Sequence, residues 1–169
     1  MFDLLGIGVV TIDTLLSVDT YPPEDTKAPI RARRGRLGGL TGAALSAAAR
    51  FGARCAYAGL LGQNPASDAV RGLLAEEGVD LTHVVDQPDA GPVESYIIVA
   101  AQNQSRTILH DSSRPGGAHP SLPAESVIRQ TRVLYGDHHS VDGMIRAARV
   151  ARAAGIPVVA DLERVTSPR

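Results

Sequence analysis

The sequence predicts an α/β fold: a doubly wound, mostly parallel sheet flanked by helices, with a small antiparallel β lid. Three observations carry that expectation. Short β-rich apolar runs alternate with helical stretches along most of the chain. The opening run, residues 2–10, and the final one, Ile156-Pro157-Val158-Val159-Ala160-Asp161, have the character of parallel strands buried on both faces. Two segments break the alternation, residues 12–36 and 93–110, and read as antiparallel excursions from the main sheet.

Taken in order, residues 2–10 form the first strand. The stretch 11–36 holds Leu15, Val18 and Tyr21, the Pro22-Pro23 pair and the alternation Ile30-Arg31-Ala32-Arg33, which together suggest extended strands around a turn. Residues 40–50 are an Ala-rich helix that begins after Gly38-Gly39 and ends before Gly52. A strand at 54–61 follows, then a helix at 67–77 with Val70, Leu73 and Leu74 on one face and Gly78 as its stop. Runs at 93–101 and 106–110 flank Gln102-Asn103-Gln104-Ser105 and read as a hairpin. A strand at 132–135 and a helix at 141–154, closed by Gly155, lead to the final strand. Residues 162–169 are too few for the crossover of about a dozen residues that would return the chain to the sheet. The expectation is that 1–169 is the N-terminal part of a longer enzyme.

Composition narrows the function. With 44% hydrophobic and 21% charged residues the chain reads as an ordinary packed α/β domain. A formal charge of −1 lacks the basic balance of a nucleic-acid partner. No stretch approaches the ~20 apolar residues of a membrane span, and Asp3, Gly6 and Gly8 break a signal-peptide reading, so the expectation is a cytoplasmic protein with no membrane partner. Cys55 is the single cysteine, which leaves no internal disulfide and no cysteine metal cage. In its apolar surroundings it reads as a small buried residue.

Gly6-Ile7-Gly8 invites a dinucleotide-binding reading, but Thr11 stands where a third glycine would open a helix. The glycines could instead bring the strand end close to a ligand, with Thr11 and Asp13 presenting a hydroxyl and a carboxylate. A carboxylate suits a polyol, since it accepts hydrogen bonds from two adjacent hydroxyls. The competing reading of Asp13 is a loop carboxylate satisfied by local amides. Gly38 and Gly39 leave amides open at a helix N-terminus, suited to an anion or a sugar oxygen, or else serve as a hinge. Arg31, Arg33, Arg34 and Arg36 read as mostly solvated. His138 and His139 emerge at the C-terminal end of a strand, where open α/β sheets bind ligands. On extended backbone adjacent side chains point to opposite sides, so polar contact with a substrate suits them better than a shared metal. Asp137 or Ser140 capping the next helix is the plainer use of that segment. Asp161 lies at the equivalent edge of the last strand.

The order and spacing of these pieces resemble a known family. Gly6-x-Gly8 with Asp13, Tyr21-Pro22, Gly38-Gly39 before an Ala-rich helix, Arg50-Phe51-Gly52-Ala53, Leu60-Leu61-Gly62, Glu76-Glu77-Gly78-Val79-Asp80 and Ser105-Arg106-Thr107-Ile108 look like the N-terminal part of the ribokinase (PfkB) family of carbohydrate kinases. The resemblance implies a ribokinase-like fold whose lid closes over a sugar and pairs subunits into a homodimer. It implies ATP and Mg2+ as cofactors of a full-length member, with neither bound tightly by this chain. It assigns Asp13 to the sugar hydroxyls, Thr11 to its flank, Gly38 and Gly39 to contacts through backbone amides, and His138 to a strand-end sugar contact. Ala43, Arg106 and Asp161 are secondary candidates. Ala43 stands where the family carries a sugar-contacting Asn, and Gly62-Gln63-Asn64-Pro65-Ala66-Ser67 departs from the family's Gly-Asp-Asp with a later Gly. The Gly-Ala-Gly-Asp segment, which holds the family's catalytic base and anion hole, does not occur in the sequence. No catalytic residue or metal ligand is therefore assigned, and the chain alone is expected to be inactive. The alternative is a non-catalytic sugar-binding or dimerising module, or a remnant.

Overall fold

The computed structural model describes residues 1–163; the rest of the tail lies outside the described residues. In chain order the elements are β1 (Phe2–Gly6), β2 (Thr11–Val18), β3 (Ala32–Gly38), α1 (Leu40–Arg50), β4 (Cys55–Tyr57), β5 (Leu60–Leu61), α2 (Pro65–Glu76), β6 (Val85–Asp86), β7 (Val93–Ala100), β8 (Arg106–Asp111), α3 (Glu125–Ile128), β9 (Thr131–Asp137), α4 (Val141–Ala153) and β10 (Val158–Asp161). The body is a parallel sheet of order β10-β9-β1-β4, and the lid is a second sheet of order β3-β2-β7-β8.

Helices cover both faces of the body because its strands alternate two apolar sets. Leu5, Ala56 and Leu134 pack with Ile128 of α3 and Met144, Ala147 and Ala151 of α4. Leu4, Cys55 and Tyr57 point the other way, toward Leu45 of α1 and Val70 and Leu74 of α2. This period of two across a sheet buried on both sides is the doubly wound arrangement the sequence predicts. Cys55 is buried as expected, and its desolvation pushes the thiol pKa up. No helix among the described residues is long and apolar enough to cross a membrane.

Several expectations need correction. The lid is mixed and not antiparallel: β2 pairs antiparallel with β3 and β7 with β8, but β2 and β7 run parallel. Each excursion is a local hairpin, and the two join through their first strands. Both first strands leave the body at one place, where the Val93 N–H donates to the Val10 carbonyl at 3.2 Å. The strand predicted at 54–61 divides, since β4 stays in the body while β5 pairs with β6 in a separate two-stranded sheet. The final strand, apolar enough in sequence for burial on both faces but expected to lie uncovered in this chain, is an edge strand beside β9, with Val159 49% exposed.

Helix α2 starts two residues before the predicted Ser67. The Asn64 side chain accepts from the Ser67 N–H at 2.9 Å, and Pro65 takes the first turn, where its missing N–H costs nothing. Gly72 lies inside this helix on its exposed side, and an added Cβ would meet nothing within 4 Å. Gly72→Ala is therefore expected to stabilise the fold by about 0.5–1 kcal/mol. Differential scanning calorimetry should show a melting temperature higher by about 1–4 °C; an unchanged or lower value would contradict the open environment of that position.

Candidate functional site

A cavity of about 810 Å³ lies between the lid and the C-terminal ends of the body strands. Its lid wall follows from strand register. Asp13 on β2 stands opposite Ser95 on β7, and Ser95 opposite His110 on β8, so these three form a polar row across one face. The next row along the same face is apolar, Leu15, Ile97 and Ile108. Thr11 begins β2, and its hydroxyl donates to Asp13 Oδ1 at 2.7 Å. The loop reading of Asp13, with local amides as its partners, is thereby replaced: the carboxylate sits on a lid strand, takes a hydroxyl, and lines the cavity. The dinucleotide reading fails for a related reason, since Thr11 opens a strand where a helix would be needed.

Gly38 and Gly39 are packed under this pair and are not a flexible hinge. A Cβ at Gly38 would stand 2.2 Å from Asp13 Oδ2 and 2.4 Å from Thr11 Oγ1. Gly39 has φ +81, and a Cβ there would stand 2.6 Å from the Val9 carbonyl. The Gly39 carbonyl accepts from Ala43 N–H at 2.9 Å, which starts α1 and brings Ala43 and Ala44 to the cavity wall.

The opposite wall is the end of β9 and the turn into α4. His138 and His139 both line the cavity, with ring centroids 4.5 Å apart and planes inclined by 36°. They do not project to opposite sides, because the chain has left the extended conformation and reaches φ 59 at Ser140. His138 Nδ1 is buried and has no hydrogen-bond partner among the described residues. Tyr135 and Asp161 complete this side, the tyrosine hydroxyl lying 3.4 Å from Asp161 Oδ2. Burial, and then the Asp161 charge, push the Tyr135 pKa up to about 12, so the hydroxyl stays protonated as a donor.

Neither Asp137 nor Ser140 caps α4 through its side chain. Ser140 Oγ donates to the Gly116 carbonyl at 2.6 Å. Asp137 is 2% exposed and accepts three hydrogen bonds: from Val9 N–H and the Thr41 hydroxyl at 2.8 Å each on Oδ2, and from His139 N–H at 2.9 Å on Oδ1. Gly8 therefore serves the protein interior and not a ligand. A Cβ on it would stand 2.2 Å from both Asp137 Oδ2 and Thr41 Oγ1. The Gly8 carbonyl in turn accepts from the fully buried Tyr57 hydroxyl at 3.0 Å, and desolvation first and the Asp137 charge next drive that hydroxyl's pKa upward.

Of the sequence candidates, Thr11, Asp13, Gly39, Ala43, His138 and Asp161 line the cavity, with Gly38 packed directly behind the carboxylate. Arg106 does not line it; it pairs with Val99 farther along the hairpin, and Ile108 and His110 occupy the wall in its place. Arg31 is held by Asp19, while Arg34 and Arg36 border a separate groove with Glu76 and Glu77. Sequence reasoning missed Ser95, His110, Ser112, Tyr135 and Glu163, which also line the cavity. The described residues gather no group of three or more His, Cys, Asp or Glu suited to a metal ion.

The family model of the pfkB carbohydrate kinases matches residues 1–161. The chain belongs to that family. Mouse ketohexokinase is 34% identical over 113 residues, which is 66% of this chain and 38% of that protein. Ribokinase of Haemophilus influenzae is 26% identical over 166 residues, 92% of this chain and 52% of the relative. A solved ribokinase of Arabidopsis thaliana, complexed with ribose and ATP, superposes with a TM-score of 0.76 at 17% identity, covering 97% of this chain and 54% of that one. The structural likeness establishes the ribokinase-like fold. This pfkB member spans between about a third and a half of the lengths of these three proteins.

Proposed function

We propose that this chain is the sugar-binding and lid half of an ATP-dependent carbohydrate kinase. One observation carries the reading: the Thr11–Asp13 pair, seated over Gly38, presents a carboxylate to a cavity whose far wall is formed by His138, Tyr135 and Asp161. An ionised carboxylate is acceptor-only and takes two neighbouring hydroxyls at once, while Ser95, His110 and Tyr135 add groups for the remaining ones. Phosphoryl transfer requires a nucleotide phosphate, a metal and an oriented hydroxyl together. The residues named here supply the hydroxyl side, and by the family resemblance the catalytic base and anion hole belong to a Gly-Ala-Gly-Asp segment that the sequence does not contain. ATP and Mg2+ are accordingly assigned to no residue of this chain.

Titration calorimetry of the full chain with D-fructose and D-ribose tests the reading. Saturable binding of at least one sugar without nucleotide, and no sugar-dependent ATP consumption, is the expected result. Absence of saturable heat with both sugars would remove the sugar-site assignment.

The homodimer belongs to the same proposal. Tyr96 and Leu109, opposite one another on the lid face turned from the cavity, are 46% and 56% exposed, and a second lid laid on that face would cover them. Sedimentation that gives a monomer at every concentration would withdraw this part alone.

A further inference from the structure

The buried carboxylate of Asp137 serves three elements that local sequence leaves far apart. Val9 lies at the crossing from the body into the lid, Thr41 in the first turn of α1, and His139 in the turn that follows β9. The same crossing is hooked from two other directions. Val9 carbonyl accepts from Thr41 N–H at 3.2 Å, and Val10 carbonyl from Val93 N–H, also at 3.2 Å. Two residues after Val9 comes Thr11, and Asp13 follows; beside His139 stands His138. The walls of the cavity that carry its polar groups therefore diverge from one clamped point.

We infer that Asp137 is a positioning residue: it sets the lid-borne Thr11–Asp13 pair against the body-borne histidines, without itself lining the cavity. The chemistry of the carboxylate is specific to this task. Charged acceptors form shorter and stronger hydrogen bonds than neutral ones. A carboxamide cannot copy it, because one end faces His139 N–H and the other Val9 N–H. Whichever way an Asn amide turned, its NH2 would confront a backbone donor, leaving a buried N–H unpaired. Thr41 adds a removable third donor, since Thr41→Val keeps the shape and deletes only the hydroxyl. What is positioned is the sugar site proposed above, so the inference rests on that reading for its purpose, but its test needs no sugar.

The experiment is amide-resolved NMR with hydrogen exchange on the full chain and on Asp137→Asn and Thr41→Val. In Asp137→Asn, exchange at Val9 and His139 is expected to accelerate by about tenfold or more. In both variants the resonances of Thr11, Asp13, Ser95 and His110, none of which bonds to Asp137, are expected to shift or broaden, while Leu45 and Leu134 in the two cores stay in place. A residue that only held its own loop would move Val9, Thr41 and His139 and nothing beyond them; that pattern overturns the inference. Should Asp137→Asn fail to fold, Thr41→Val decides the matter alone, since it leaves the carboxylate both backbone donors. Unmoved Thr11 and Asp13 in that variant would equally overturn it. The sugar reading fails by a different measurement, the absence of sugar heat in the unmodified chain.

Discussion

Asp13→Ala is expected to weaken binding of the accepted sugar by about 10- to 100-fold, with a change in folding stability below about 1 kcal/mol. A hydrogen bond to a charged group is worth about 1.5–3 kcal/mol, which converts to that range of affinity. The stability cost stays small because Asp13 is half-buried on a lid strand and its side-chain partner among the described residues, the Thr11 hydroxyl, can turn to solvent. Asp13→Asn is the sharper comparison. It keeps the size and one acceptor oxygen but replaces the other with a donor, so a pair of hydroxyls held by both oxygens loses part of its partner set. Titration calorimetry of the three proteins against one sugar measures the effect. If Asp13→Ala bound within twofold of the parent chain, the carboxylate would not be a sugar contact and the polar row would need another purpose.

That row shows where sequence reading stops. Alternation along the hairpin puts Ser95 and Ile97 on one face of β7, and Ile108 and His110 on the matching face of β8. Placing that face over Asp13 requires the parallel pairing of β2 with β7, in which residues 82 positions apart become neighbours, Asp13 opposite Ser95. No local pattern carries such a pairing. The hairpin itself was legible because loop and strands are contiguous, and α1 because an apolar helical stretch lies between glycine signals at both ends. The two-residue strands β5 and β6 and the four-residue α3 were not, being too short for any period to show.

Asp137 fails the local reading for the same reason. Four residues ahead of a helix, a carboxylate is ordinarily a cap or a turn former. Its actual partners include Thr41 and Val9, 96 and 128 positions earlier. The glycine spacing of Gly6-Ile7-Gly8 was a real signal, but of close packing and not of a cofactor. The close approach at Gly8 is made by Asp137 and Thr41 side chains. Asp13 and Gly39 at the cavity wall, and Gly38 behind the carboxylate, were legible as candidates because their order in the chain is itself a family pattern.

The largest stability effect is expected from Gly8→Ala. The new methyl group would lie 2.2 Å from each of two oxygens that are bonded to one another, Asp137 Oδ2 and Thr41 Oγ1. Neither can retreat freely. Thr41 is fully buried, and Asp137 is also tied to Val9 and His139 by backbone donors. Moving the carboxylate breaks one or more of these bonds and leaves a buried N–H without an acceptor, at about 1–3 kcal/mol. Overpacking adds about 1–3 kcal/mol. A loss of about 3 kcal/mol or more, out of the roughly 5–15 kcal/mol of a typical domain, would lower the melting temperature by about 6–12 °C. Gly8→Ala/Thr41→Ser is the informative companion. It keeps the hydroxyl but removes the Thr41 methyl, giving the side chain freedom to turn, so it should recover part of the loss if the clash with Thr41 is a main cause. Denaturant unfolding of the parent, the single and the double variant measures both effects. A Gly8→Ala protein within about 0.5 kcal/mol of the parent would mean that the strand end does not press on the carboxylate. The tight packing at the body–lid crossing, on which the positioning role of Asp137 depends, would then be lost as a premise.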